Sequence, residues 1–107
     1  MESGNPRINS ARMSQYVGRH VRLTCKIIKA QGENIIVQAS DGGQVEVKLT
    51  TASSSRPGND NYVEILGKVV DAQRMVASEV FPQGDNIDLE VVDQLVELMH
   101  KYPEIYM

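Results

Sequence analysis

Apolar and polar side chains alternate at a spacing of two residues along most of the chain, and this alternation restricts the fold more than any other feature. In residues 20–29, for example, Val21, Leu23, Cys25 and Ile27 are separated from one another by single polar residues. A period of two predicts a β-strand with one buried and one solvated face. The chain also contains 13 valines and 8 isoleucines, and these β-branched residues favour strands over helices. The same pattern predicts four further strands, at residues 35–39, 44–49, 62–70 and 74–81.

The segments between these strands carry turn residues. Ser40-Asp41-Gly42-Gly43 predicts a tight hairpin, and the polar stretch 50–61 predicts a long loop after the third strand. Gly67 falls on the buried side of the fourth strand, which is typical of a bulge or a sharp barrel bend. Pro82 and Gly84 are expected to stop the fifth strand.

Five short strands, a long loop after the third and a terminal helix predict an all-β fold with one helix. The most common solution is a five-stranded Greek-key barrel of the OB-fold type with a C-terminal α-helix. An SH3-like barrel is the structural alternative, but a well-defined terminal helix suits it less well. We therefore predict a disordered tail at residues 1–7, a barrel at 8–84 whose first residues form an anchoring turn, and a helix for subunit assembly at 85–107.

The hydrophobic period changes after residue 84. Asp85, Asn86 or Asp88 is a candidate helix cap, and Pro103 is expected to end the helix near Tyr102. The apolar residues of this helix cover an arc of about 180°, although a helix that packs on one barrel needs only about 100°. They form two rows at spacings of three and four. The Leu89 row is Leu89, Val92, Val96 and Met99, and the Leu95 row is Val91, Leu95, Leu98 and Tyr102.

Such spacing is typical of helix-on-helix packing. We expect one row to cover the end of the barrel and the other to contact a partner, so all eight residues are candidates for a subunit interface. The alternative is that loops or the N-terminal segment cover the second row. An exposed row of this length would mark an interaction site.

Charge argues against strong autonomous binding to nucleic acid. The 107 residues carry a net charge of −3; residues 1–84 contain 10 basic and 8 acidic side chains, and residues 85–107 contain 1 basic and 6 acidic ones. The predicted outer positions of the second and third strands hold no aromatic side chain on which a base could stack. Arg22, Lys26 and Lys29 are candidates for a weak DNA contact, although a solvated strand face is the favoured interpretation.

Nothing in the sequence indicates catalysis. His20 and His100 are far apart, Cys25 lies among the predicted core residues, and no Cys/His spacing or Gly-rich phosphate loop is present. We expect no enzyme activity, no metal, no cofactor and no small-molecule substrate. A single buried cysteine favours a reducing compartment, and no apolar run approaches the length that crosses a membrane.

Five segments of the sequence form a distinctive set: RIN at 7–9, MSQYV at 13–17, VRL at 21–23, VEILGKV at 63–69 and MHKYPEIY at 99–106. Together they resemble the small-subunit family of replication protein A, the eukaryotic single-stranded-DNA-binding heterotrimer. Their order and spacing, which extend over residues 7–106, make the set more specific than any one of them.

The resemblance implies a single OB-fold whose C-terminal helix joins one helix from each of the large and middle subunits in a three-helix bundle. It implies a structural role in a nuclear complex that acts in DNA replication, repair and recombination, with most DNA contacts made by the partners. The alternative is an autonomous OB-fold nucleic-acid-binding module, such as a small telomere-end-binding protein. The two hypotheses differ in the single-strand affinity expected of the isolated chain.

Overall fold

The computed structural model describes residues 5–49 and 61–103. Within them the chain forms a six-stranded sheet, one short 3-10 helix and one terminal α-helix. The strands are β1 (Arg7–Ile8), β2 (His20–Gln31), β3 (Asn34–Ala39), β4 (Gln44–Lys48), β5 (Tyr62–Asp71) and β6 (Arg74–Gly84); the 3-10 helix is Ser10–Gln15 and α1 is Leu89–Lys101.

The long strand β2 closes the sheet into a barrel. Its first part, His20–Lys26, pairs with β5, and its second part, Cys25–Gln31, pairs with β3. The parallel pairing of β4 with β6 completes the strand order β2-β3-β4-β6-β5 and back to β2. The predicted five-stranded OB-fold barrel with a terminal helix is confirmed.

Alternate residues of the five strands fill the barrel, as their period of two predicts. Val21, Leu23 and Cys25 are fully buried, and so are their counterparts on the other strands. Ile8 and Met13 complete this core from the N-terminal segment, so the predicted anchoring turn is confirmed as a 3-10 helix with one buried side chain.

The structure differs from the predicted boundary of the N-terminal tail. Arg7, which the sequence placed in the tail, pairs with Arg22 in the two-residue parallel strand β1. The predicted hairpin at Ser40-Asp41-Gly42-Gly43 is confirmed, because β3 ends at Ala39 and β4 begins at Gln44. Of the predicted loop 50–61, only Asn61 is among the described residues.

Pro82 does not stop the last strand, which continues to Gly84 with Pro82 opposite Val63. The pairing of β6 with β4 extends only over residues 74–76. The later part of β6 is therefore an edge, where a proline costs no hydrogen bond on the open side.

Gly67 lies beside a register shift in the pairing of β5 with β6. A Cβ atom at this position would collide with the carbonyl oxygen of Val76 and would lie 3.0 Å from Ala77 Cα. Both neighbours are backbone atoms that cannot move without separating the two strands. The irregularity expected at Gly67 is therefore present, and the position requires glycine because the neighbouring backbone leaves no room for a Cβ atom.

We predict that Gly67→Ala lowers the free energy of unfolding by about 1–3 kcal/mol, because the added methyl group overpacks two paired strands. Urea denaturation measures this, with Lys68→Ala as the control because Lys68 is exposed on the same strand. Equal midpoints for the two variants would contradict the prediction.

Candidate protein-interaction site

The terminal helix α1 begins at a clear cap. Asp88 Oδ1 accepts hydrogen bonds from the backbone N–H groups of Glu90 at 3.0 Å and Val91 at 3.4 Å. The sequence offered three candidate caps, and Asp88 is the one used. The helix ends at Lys101, one residue before Tyr102, which is the C-cap.

One side of α1 is held to the barrel by polar contacts from the N-terminal segment. Asn9 Nδ2 donates to Asp93 Oδ1 at 2.9 Å and to Glu97 Oε2 at 2.8 Å. Ser40 Oγ also donates to Asp93 Oδ1, at 3.0 Å, and Arg12 forms an ion pair with Glu97 at 2.7 Å. Asn9 is only 2% exposed, so this network fixes the rotation of the helix about its axis.

His100 adds a contact one turn further along the helix. Its Nε2 atom lies 2.8 Å from the carbonyl oxygen of Arg7. Because a carbonyl oxygen only accepts, this nitrogen carries a proton. The imidazole ring also packs edge-on against Tyr16, with 6.0 Å between the ring centroids.

The Leu89 row faces the barrel. Val96 is 1% exposed, and Leu89, Val92 and Met99 are half-buried. Val96 and Val92 line a small cleft together with Thr24 and Glu64. The last two are outward-facing strand residues that are nevertheless buried, so the helix lies along the outer side of the sheet.

One row was expected to cover the end of the barrel; the helix contacts Ser40, which directly follows β3, and also the outward-facing strand residues Thr24 and Glu64. Val96 is buried but lies outside the cluster that forms the barrel core. Polar contacts to Asn9, Ser40 and Arg12 determine where the helix docks. These contacts cannot be predicted from the hydrophobic pattern of the sequence.

The Leu95 row faces away from the barrel. Val91, Leu95, Leu98 and Tyr102 are 49%, 47%, 38% and 39% exposed, respectively. At about 100° per residue, the row occupies an arc of about 60° whose centre lies about 160° around the helix from the barrel-facing contacts. Neither the N-terminal segment nor the other described residues cover it, and four neighbouring large apolar side chains in water are typical of an interaction surface.

Charge within the site stabilises docking of the helix. Hydrogen bonds, first from Arg12 and then from Asn9, lower the pKa of Glu97, and the pKa of Arg12 is raised by its bond to Glu97.

Outside this site, burial raises the pKa of the Cys25 thiol far above its usual range. The thiol is therefore neutral, in agreement with its interpretation as a core residue.

The three candidate DNA contacts do not form one cluster. Arg22 Nη1 lies 3.9 Å from the buried carboxylate of Glu64, and Lys26 Nζ lies 6.0 Å from the ring centroid of Tyr62. Lys29 is exposed beyond a bulge in β2. As contacts to DNA, all three stay predictions.

The outer side of β3 and β4 is mixed in charge. Two adjoining clefts there share Glu46 and Arg74. Their other charged lining residues are Glu33, Lys48 and Asp71. Three acidic and two basic side chains do not make a phosphate-binding groove.

In residues 5–49 and 61–103, no group of three histidine, cysteine, aspartate or glutamate side chains is placed to hold a metal ion. Within the same residues, no helix combines the length and apolar character needed to span a bilayer.

Comparison with known proteins assigns the family. The profile of the family described as "Replication factor A protein 3" matches residues 1–106, and the chain belongs to this family. A 14 kDa subunit of replication protein A from Arabidopsis thaliana is 26% identical over 101 residues, which cover 92% of this chain and 91% of that protein. A chain in the structure of U. maydis replication protein A bound to ssDNA is 33% identical with a TM-score of 0.90, and the match covers 99% of this chain and 98% of that one.

The fold is also similar to that of the telomere capping protein Ten1 from Saccharomyces pombe. The TM-score is 0.72 at 12% identity, over 92% of this chain and 99% of that one. At this identity the likeness extends to the fold alone.

We predict that acid weakens docking of α1 through Glu97. The pKa of Glu97 is lowered in the folded state from its ordinary value of 4.5. Its contribution to the stability of the docked helix is therefore fully present at pH values above 4.5 and is lost as the pH falls below the lowered pKa. Since the side chain is half exposed, the contribution is below about 1 kcal/mol.

Hydrogen exchange of the helix amides between pH 3 and pH 7 tests this. We expect Glu97→Gln to reduce the pH dependence, whereas Glu33→Gln, which removes an exposed carboxylate remote in sequence, preserves it. The same pH dependence in the wild type and Glu97→Gln would exclude this role for Glu97.

Proposed function

We propose that this chain is the assembly subunit of a heterotrimeric replication protein A complex that binds single-stranded DNA. The observation that carries the proposal is the Leu95 row, which lies on the opposite side of α1 from the contacts to the barrel. Membership of the Replication factor A protein 3 family supports the same conclusion.

The Leu95 row is the surface that contacts the large and middle subunits. Its spacings of four, three and four match those by which helices pack at about 20° to one another. A three-helix bundle with one helix from each subunit would bury the row on both sides. The chain then acts through its interface, without catalysis, in a nuclear complex for DNA replication, repair and recombination.

In this proposal the partners make most of the contacts with single-stranded DNA. The acidic side chains beside Lys48 and Arg74 in the clefts over β3 and β4 support this division of roles. Arg22 lies beside Glu64, so part of its charge is compensated within the chain.

We predict that Leu95→Glu prevents assembly, because a carboxylate would be buried without a partner in a helix interface. The expected cost is about 2 kcal/mol of association or more. Since Leu95 is exposed in the isolated chain, the free energy of unfolding should change by less than about 0.5 kcal/mol. Co-purification with the full-length large and middle subunits, followed by light scattering, measures the yield of a 1:1:1 species.

Gln94→Glu is the matched control, because it introduces the same charge at the adjacent exposed position. It should assemble like the wild type. A normal yield of the trimer from Leu95→Glu would show that the row is not the interface.

We also predict that the isolated chain binds single-stranded DNA more weakly than micromolar. Combined replacement of Arg22, Lys26 and Lys29 by Gln should leave the small salt dependence of binding unchanged. Fluorescence anisotropy across a salt series tests both statements. Micromolar affinity with a steep salt slope that the triple variant flattens would favour the autonomous nucleic-acid-binding module instead.

A further inference from the structure

Two guanidinium groups share one carboxylate on the outer side of the barrel. Arg7 Nε donates to Glu64 Oε2 at 2.6 Å, and Arg22 Nη1 lies 3.9 Å from Glu64 Oε1. The two arginines are paired in register across β1 and β2. Two positive charges therefore face one negative charge, which leaves an excess of one positive charge in this group.

Arg22 is the less completely paired of the two. Its Nε atom is shielded from solvent and has no hydrogen-bond partner among the described residues. Its contact with Glu64 is longer than a hydrogen bond, and its side chain is 38% exposed. The guanidinium is therefore accessible and has unused donors.

The charged group adjoins the Leu95 row through the cleft between α1 and the sheet. Arg7 and Glu64 line this cleft on the sheet side, and Val92 and Leu95 line it on the helix side. A helix packed on the Leu95 row would thus extend over the mouth of the cleft. It would remove water from Arg7, which lines the cleft, and from the Glu64 carboxylate that Arg7 and Arg22 share. Loss of water makes the excess positive charge unfavourable.

We propose that a partner helix seated on the Leu95 row presents an aspartate or glutamate side chain that pairs with Arg22, next to Arg7. This inference rests on the proposed function and names the chemistry of the partner at one point. With the added carboxylate, two guanidiniums face two carboxylates and the buried charge is balanced. The planar fork of Arg22 suits bidentate pairing with a carboxylate.

A nucleic-acid phosphate is the other anion that two arginines attract. The cleft favours the protein side chain, because its remaining lining includes the aliphatic residues Ile87 and Val96 and holds no aromatic ring for a base.

The test uses the complex with full-length large and middle subunits. Arg22→Gln should weaken association about tenfold at low salt, and the difference from the wild type should shrink at high salt, because the lost interaction is electrostatic. Lys29→Gln is the matched control, since it removes one positive charge from an exposed position on the same strand. It should associate like the wild type.

Normal association of Arg22→Gln, in an experiment where Leu95→Glu fails to assemble, would overturn this inference and leave the proposed function intact. Normal assembly of Leu95→Glu would instead overturn the proposed function. If Arg22→Gln assembles normally but the trimer loses affinity for single-stranded DNA with a salt slope reduced by about one, the anion is a phosphate and the inference is wrong.

A charge-reversal experiment tests the pairing of Arg22 with a partner carboxylate even if Arg22→Gln lowers the thermal stability of the isolated chain. Arg22→Glu should abolish assembly, and one Asp→Lys or Glu→Lys replacement on the partner helices should restore it. Such a rescue cannot come from a general loss of stability. Absence of rescue from every acidic position of those helices would overturn the inference.

Discussion

The polar contact between Asn9 and α1 determines which side of the helix the protein presents to its surroundings. Both donors of the buried Asn9 amide are used, and they meet Asp93 and Glu97, which lie one turn apart. Rotation of the helix by one residue, about 100°, would separate these carboxylates from the amide. A buried amide that loses its partners costs about 1–3 kcal/mol, so the helix is held in one orientation with the Leu95 row outward.

This arrangement explains part of the acidic composition of the C-terminal segment. Glu97 pairs with Arg12, and Asp93 accepts hydrogen bonds from Ser40 and Asn9. These carboxylates are directed toward donors of the barrel, and the apolar residues of the Leu95 row are left for a partner. The negative charge of this segment thus partly reflects the docking of the helix.

The barrel was largely predictable from the sequence, because a strand with one buried face repeats its pattern every two residues. The helix was predictable from its change of period and from Asp88. The two-residue strand β1 was not, since two residues carry no period. Glu64 also escaped prediction: it occupies an outward position, and it is buried because of contacts with elements distant in sequence.

The candidate site was predictable only in part. The hydrophobic pattern identified eight apolar positions on α1 and separated them into two rows, but it did not tell which row faces the barrel. That assignment depends on Asn9, Arg12 and Tyr16, which contact the helix across more than 80 residues of chain. Single polar residues at such separations leave no periodic signal, so only the structure shows that the Leu95 row is the exposed one.

Hydrogen–deuterium exchange, compared between the isolated chain and the complex with the large and middle subunits, tests the central claim most directly. We expect assembly to slow exchange strongly in peptides from α1, because packing of the Leu95 row against partner helices suppresses fraying and local opening. Peptides from β3 and β4 should exchange at the same rate in both states. Unchanged exchange in α1, with new protection over β3 and β4 instead, would contradict the claim and place the interface on the barrel.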